Sequence, residues 1–140
     1  MKAVKLTGIQ YAALPYRIHG RQVQVMLITS RGTGRWVIPK GWPMDGLAPR
    51  ETAVAEAAEE AGILGEIVDR PIGSYRYIKH LKGAQSMAIQ VIVFPLLVEG
   101  QTLAFKEQGQ RRSRWFRYQE AASRVARSVG DASITFSNTD

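Results

Sequence analysis

Gly41-Trp42-Pro43-Met44-Asp45-Gly46-Leu47-Ala48-Pro49-Arg50-Glu51-Thr52-Ala53-Val54-Ala55-Glu56-Ala57-Ala58-Glu59-Glu60-Ala61-Gly62-Ile63 is the stretch that decides the fold. Pro49 suits the first turn of a helix, because its missing N–H would be unpaired there anyway, and Gly62 supplies a left-handed stop. The spacing predicts a helix from Pro49 to about Ala61. At about 100° per residue with Ala55 at zero, Glu56, Glu59 and Glu60 fall between about 40° and 140°. Val54, Ala57, Ala58 and Ala61 fall between about 200° and 300°. One side is small and apolar and suits a sheet; the other presents three carboxylates at i, i+3 and i+4.

A solvated acidic face is the commoner reading of such a helix, and two features oppose it. The carboxylates sit in the last turns, where the helix dipole disfavours anions. No Lys or Arg stands four residues before or after any of them. Carboxylates gathered at the wrong end of a helix, in a chain of net charge +7, point to a bound hard cation. Oxygen ligands favour Mg²⁺ or Mn²⁺ over zinc, and such an ion commonly also meets substrate phosphate.

Outward from the helix, Ile9–Ile18 and Val23–Thr29 read as hairpin arms around His19-Gly20-Arg21-Gln22, with the second arm buried on both faces. Ser30–Arg35 and Gly41–Gly46 read as loops flanking a short strand at Trp36-Val37-Ile38. Tyr75–Lys79 and Ser86–Val98 read as strands joined by a turn over Leu81–Gln85. Ser113–Arg117 is a further short strand, Gln119–Val129 a second helix, and Gly130–Asp140 a polar, flexible tail. Mostly strands with one helix mid-chain and one near the end predict an α+β or mixed α/β sandwich, not a βαβ repeat. At 140 residues the chain suits one domain spanning 1–140.

The chain has no cysteine, which excludes a disulfide scaffold and thiolate metal sites. Met1-Lys2-Ala3-Val4-Lys5-Leu6 meets Gly8 and Gln10 before any signal-like apolar run, and Val91–Val98, the longest such run, is strand-sized. A soluble, cytoplasmic protein without a membrane partner is the expectation. The positive charge allows an anionic partner, whether nucleotide, polyphosphate, nucleic acid or membrane surface, without choosing among them.

The quoted stretch resembles the Nudix box: Gly, five residues, Glu, seven residues, Arg-Glu, an aliphatic, any residue, Glu-Glu, any residue, Gly, aliphatic. Gly41, Glu56, Glu59, Glu60, Gly62 and Ile63 match at the right spacing, and Trp36-Val37-Ile38-Pro39-Lys40 resembles the lead-in strand and turn. The resemblance implies a Nudix-type α/β/α sandwich with a mixed sheet and the box helix on one face. Two positions depart: Leu47 stands for the first Glu and Ala55 for the Arg. In the family that Arg orients neighbouring carboxylates by salt bridging. Arg50, at about 220° on the wheel, is a poor substitute, so a replacement cation must come from another element.

What the resemblance implies is a hydrolase acting on a phosphoanhydride, with Mg²⁺ or Mn²⁺ as cofactor. By match to the box, Glu56 and Glu60 are the main metal ligands and Gly41 a backbone ligand, while Glu59 is a further ligand or orients the water. Many family members draw a general base or extra ligand from a later loop; Glu107, the only acidic residue between Gly100 and Phe116, is that candidate. Charge neutralisation and an aligned water are what phosphoryl transfer needs most.

Three basic groups are candidate substrate handles: Arg31, Arg35 and Lys40; Lys79, His80 and Lys82; and Arg111, Arg112, Arg114 and Arg117. Each alone reads as ordinary surface. Their convergence on one mouth would suit a polyphosphate. Trp42 is a candidate base-stacking platform, whereas Trp36 and Trp115 read as core-packing. The short, plain domain resembles the branch of the family handling diadenosine polyphosphates and diphosphoinositol polyphosphates.

The leading expectation is a divalent-metal-dependent pyrophosphohydrolase of a (di)nucleoside polyphosphate or related polyphosphate. The alternative is a catalytically impaired domain that senses such a ligand, motivated by Leu47 and Ala55. A nucleic-acid partner finds no support in interleaved aromatics. The family includes many dimers, so a homodimer is the protein partner that the resemblance allows.

Overall fold

The computed structural model describes residues 5–129, and the tail expected over 130–140 lies outside them. Its frame is two long strands in parallel, β1 (Lys5–His19) and β7 (Ser86–Gln101), in register from Lys5 opposite Ser86 to Tyr16 opposite Leu97. β2 (Gln22–Thr29) folds back on β1 through a turn in which Gly20 takes a φ of 64°. β3 (Trp36–Val37) and β8 (Ser113–Arg117) pair with β2, and β4 (Lys40–Gly41) with Tyr11 and Ala12 of β1. β5 (Ile63–Ile67) and β6 (Gly73–His80) are both antiparallel to β7. One mixed eight-stranded sheet results.

Helix α1 (Pro49–Ala61) has the expected bounds, and α2 (Tyr118–Val129) begins one residue before the sequence reading. They cover opposite faces of the sheet. Alternation along the strands divides the core: Ala12, Leu14, Val25, Leu27, Val91 and Val93 pack toward α2. Ala13, Met26, Ile28, Phe94 and Leu96 pack with Ala53, Ala57 and Ala61 of α1. β1, β2 and β7 are therefore apolar on both faces over much of their length, as strands between two helices must be. Trp36 and Trp115 pack against these two clusters, as expected. Among the described residues no helix is long and apolar enough to cross a membrane.

Two strands have no counterpart in the sequence pattern. β5 lacks strict alternation and contains Gly65, yet it forms because β7 offers it an edge, with a bulge between Leu64 and Gly65. β4 is two residues inside the expected Gly41–Gly46 loop, and its pairing with β1 pins the start of that loop to the sheet.

Candidate active site

At the N-terminal end of α1 the Glu51 carboxylate accepts a 2.8 Å hydrogen bond from the Ala48 N–H, and Pro49 sits in the first turn. At the other end Gly62 takes a φ of 67° and its N–H donates to the Ala58 carbonyl. A Cβ at Gly62 would strike Phe105 and the Thr102 backbone, so the loop after β7 lies directly on this helix terminus. That loop and the last residue of β7 satisfy the terminal carbonyls: Thr102 N–H donates to Gly62 O at 2.8 Å, Glu107 N–H to Glu59 O at 2.9 Å, and Gln101 Nε2 to Ala61 O at 2.9 Å.

The buried side of α1 differs from the one the wheel predicts. Thr52, Ala53, Ala57, Ala61 and Glu60 are buried, while Val54 and Ala58 are only partly covered. Glu60 is 4% exposed. The helix is rolled so that the edge of its acidic arc turns inward, because its alanines contribute too little apolar surface to dictate a different orientation.

Glu56 and Glu60, one turn apart, meet above β4. A Cβ on Gly41 would fall inside the Glu56 carboxylate, so only glycine leaves room for that group against the strand. The Oε2 atom of Glu60 is fully buried and has no hydrogen-bond partner among the described residues. Burial first, then a hydrogen bond shared with Glu56 and the charge of Glu56, push the Glu60 carboxyl up to about 9 against the pull of Arg111 and Lys40. Carboxyl groups brought together in this way must share a proton or a cation. The donor set is all oxygen, with an orphaned buried atom and a glycine-lined cradle, and it fits a hard divalent ion.

Glu59 does not join this pair. Its carboxylate lies 3.8 Å from Lys106 Nζ and is partly exposed. No group of three Asp, Glu or His side chains converges on one point among the described residues. The i+4 spacing of Glu56 and Glu60 stacks them, whereas Glu59 leans about 60° away from Glu56 toward the loop after β7.

The cation missing from position 55 is found on that loop. Arg111, 12% exposed along its side chain, places Nη2 at 3.4 Å from Glu60 Oε1. Its Nε donates to Glu107 Oε1 at 2.7 Å and its Nη1 to the Thr29 carbonyl at 3.1 Å. Arg50, as the wheel indicates, is elsewhere and pairs with Asp69 at 3.3 Å. The sequence placed Arg111 among four arginines in seven residues, and nothing local separated it from the rest.

The three basic groups converge only in part. Burial lowers the pKa of Lys40 below the ordinary lysine range; Glu60 opposes this and Arg111 and Lys79 add to it, so these side chains share one electrostatic neighbourhood. The Lys40 ammonium lies 5.2 Å from the Tyr77 ring centre, and Tyr77 donates a 2.8 Å hydrogen bond to the buried Gln10. Arg31 reaches the rim, 3.7 Å from Glu107, and donates to Gln110 at 3.0 Å. Arg35 goes to the other face, where it donates to the Ser128 carbonyl of α2. Arg112 and Arg114 lie over the Trp36 and Phe116 rings. His80 ends β6, exposed and opposite Ser86. Trp42 is 43% exposed and lies on Gly8, where a Cβ would meet its ring at 2.8 Å.

A cavity of about 810 Å³ opens elsewhere, lined by residues including Leu14, Tyr16, Arg21, Ile72 and Arg117. Among the described residues no carboxylate borders it, and it lies apart from Glu56, Glu60 and Gly41.

Comparison with known proteins agrees with the fold. The family described as the NUDIX domain matches residues 9–135. Nudix hydrolase 18, mitochondrial, of Arabidopsis thaliana is 29% identical over 116 residues, covering 77% of this chain and 63% of its own. Nudix hydrolase 17, mitochondrial, of the same plant is 32% identical over 101 residues, covering 71% and 53%. The chain thus spans little more than half the length of these relatives. Among solved structures, a C. elegans Ap4A hydrolase superposes with a TM-score of 0.60 at 16% identity, covering 86% of this chain and 87% of that one. The NUDIX domain of Shewanella oneidensis NrtR, complexed with ADP ribose, gives 0.61 at 15% identity, covering 87% and 80%. At such identities the structures share the fold.

Proposed function

The chain belongs to the Nudix family, and from that premise we propose that it is a divalent-metal-dependent pyrophosphohydrolase of a (di)nucleoside polyphosphate or a related polyphosphate. The observation that carries the proposal is the Glu56–Glu60 pair over Gly41, with Glu60 Oε2 buried and without a hydrogen-bond partner among the described residues. Holding two carboxylates together at the C-terminal end of a helix is costly unless a cation is their purpose.

In this reading Glu56 and Glu60 hold Mg²⁺ or Mn²⁺, with the Gly41 carbonyl as the backbone ligand. The ion supplies charge to the phosphate oxygens and acidity to a water. Lys40, beside the carboxylate pair, and Lys79, close to Lys40, neutralise the remaining phosphate charge; Arg31 extends that function at the rim. Glu59, partly exposed and one position from the pair, orients the attacking water. The Glu107 carboxylate has its Oε1 committed to Arg111 and Arg31, a geometry that supports a positional role over that of general base. Trp42 offers its exposed ring to a nucleobase. The names of the neighbours, an Ap4A hydrolase and an ADP-ribose complex, support a nucleotide-containing substrate. The small-molecule class follows from the same features.

The second reading, a domain that binds such a ligand without cleaving it, draws on Leu47 and Ala55. Phosphate release from nucleoside triphosphates, diadenosine polyphosphates, nucleotide sugars and inositol pyrophosphates, with Mg²⁺ or Mn²⁺ and a Glu60→Gln control, separates the two. Metal-dependent turnover absent from the control supports the hydrolase. Metal-dependent binding without turnover supports the sensor, and neither result leaves the fold alone standing.

A further inference from the structure

We propose that Arg111 is a positioning residue: anchored by Glu107 and the Thr29 carbonyl, it clamps one oxygen of Glu60 from the loop after β7 and leaves the other oxygen for the cation. This rests on the reading of Glu56 and Glu60 as metal ligands. Four observations carry it. The guanidinium makes three separate contacts, to Glu107 at 2.7 Å, the Thr29 carbonyl at 3.1 Å and Glu60 at 3.4 Å, so its plane is fixed from three sides. It addresses Oε1 of Glu60, whereas Oε2 is the atom without a partner. The Arg111 side chain is 12% exposed and that of Glu107 13%, so neither is an ordinary surface charge. Finally, the loop that carries both is fastened to the end of α1 by Thr102 and Glu107 N–H groups, which ties the clamp to the element it serves.

The arrangement also accounts for Leu47 and Ala55. A box that lacks both an acid and a base has lost no net charge, and Glu107 with Arg111 adds an acid and a base back as a pair four residues apart. The fork suits arginine, since a lysine could satisfy one of these three acceptors well but not the set. Outer partners that orient a metal ligand typically change metal affinity or activity by about 10–100-fold when removed.

Charge and position predict opposite results, which makes the proposal easy to test. As a mere positive charge, Arg111 repels a cation, and Arg111→Ala would bind Mn²⁺ more tightly. As a clamp, it preorganises Glu60, and Arg111→Ala binds Mn²⁺ about tenfold or more weakly. Mn²⁺ titration of the whole chain by electron paramagnetic resonance reads this without any turnover, beside Arg111→Lys, Glu107→Gln and the melting temperature of each. The expected result is weaker Mn²⁺ binding in Arg111→Ala, partial recovery in Arg111→Lys, and a smaller loss in Glu107→Gln. In kinetics kcat falls with metal affinity while KM at saturating metal moves by less than about threefold. If Arg111→Ala does not fold, Arg111→Lys and Glu107→Gln decide alone, and wild-type affinity in both overturns the clamp. Equal or tighter binding in a folded Arg111→Ala also overturns it. A wild-type chain that binds Mn²⁺ yet cleaves nothing in the substrate panel defeats the hydrolase reading and leaves the clamp to the Mn²⁺ titration.

Discussion

The two helices lie on opposite faces of one sheet, and each carries a glutamate paired with an arginine. In α2 the pair is Glu120 and Arg124, four residues apart, with an N···O distance of 3.1 Å and side chains 48% and 35% exposed. In α1 it is Glu60 with Arg111, 51 positions away in sequence, at 3.4 Å and with side chains 5% and 12% exposed. The tighter pair is the less consequential one. An exposed i,i+4 pair is screened and contributes about 0.3–0.5 kcal/mol, whereas a buried carboxylate is costly in proportion to what leaves it uncompensated. Distance alone therefore does not rank ion pairs; burial and the separation of the partners along the chain do.

The largest effect is expected at Glu60. Glu60→Gln removes a proposed cation ligand while relieving carboxylate repulsion, so turnover falls by more than the about 100-fold that outer partners cost. Stability of the cation-free protein is unchanged or higher. Steady-state rates and thermal melts on the same preparation check both halves. A variant that melts far below wild type would instead make Glu60 a structural residue.

Gly41→Ala comes next. The added Cβ must displace the Glu56 carboxylate, and the alternatives are a shifted β4 or a rotated glutamate. A loss of about 1–3 kcal/mol in stability, the usual range for overpacking, is expected together with weaker Mn²⁺ binding. A control at Gly32, where a Cβ meets nothing within 4 Å, should change neither.

Protonation sharpens the contrast further. Glu60 is raised to about 9 from its ordinary 4.5, so the folded state binds more protons than the unfolded state between those values. Its contribution to stability is complete below about 4.5 and is lost as pH rises through about 9. The chelator-treated protein should therefore melt at progressively lower temperature across that window. Mn²⁺, by taking the place of the proton, should flatten the slope, as should Glu60→Gln. Glu120→Gln should leave it as it is in wild type.

The same contrast explains what could be read from the sequence. Pro49 and Gly62 bound α1 by local backbone chemistry, and the resemblance to the Nudix box points to Gly41, Glu56, Glu59 and Glu60 together, of which the structure turns Glu59 aside toward Lys106. β1, β2 and β7 were visible as β-branched and aromatic runs of strand length, and β3, β6 and β8 as shorter strands between turn signals. β5 was not, because its pairing with β7, not its own pattern, makes it a strand. The inward roll of α1 was hidden for a related reason: a wheel of alanines and glutamates has no strong apolar direction to announce. Arg111 lay beyond reach because two of its three partners, Thr29 and Glu60, are 82 and 51 positions away, and Glu107 four residues before it does not by itself point to the site. Local patterns show elements and ligand types, while pairing between distant segments must be seen.

The smallest effect is expected at Glu120, and it tests the comparison most directly. Glu120→Gln removes the charge of an exposed i,i+4 carboxylate near the first turn of α2, where the helix dipole also favours an anion. Each contribution is a few tenths of a kcal/mol, so the total loss should stay below about 1 kcal/mol and vanish further in high salt. Kinetic constants and Mn²⁺ affinity should match wild type. Glu60→Gln exchanges the same atoms on the opposite face, so chemistry and side-chain size are held constant between the two variants. What differs is burial and the origin of the partner. Should Glu120→Gln alter Mn²⁺ affinity as Glu60→Gln does, the effect would have to travel through the overall charge of the chain, and the site could not be the local assembly of α1, β4 and the loop after β7.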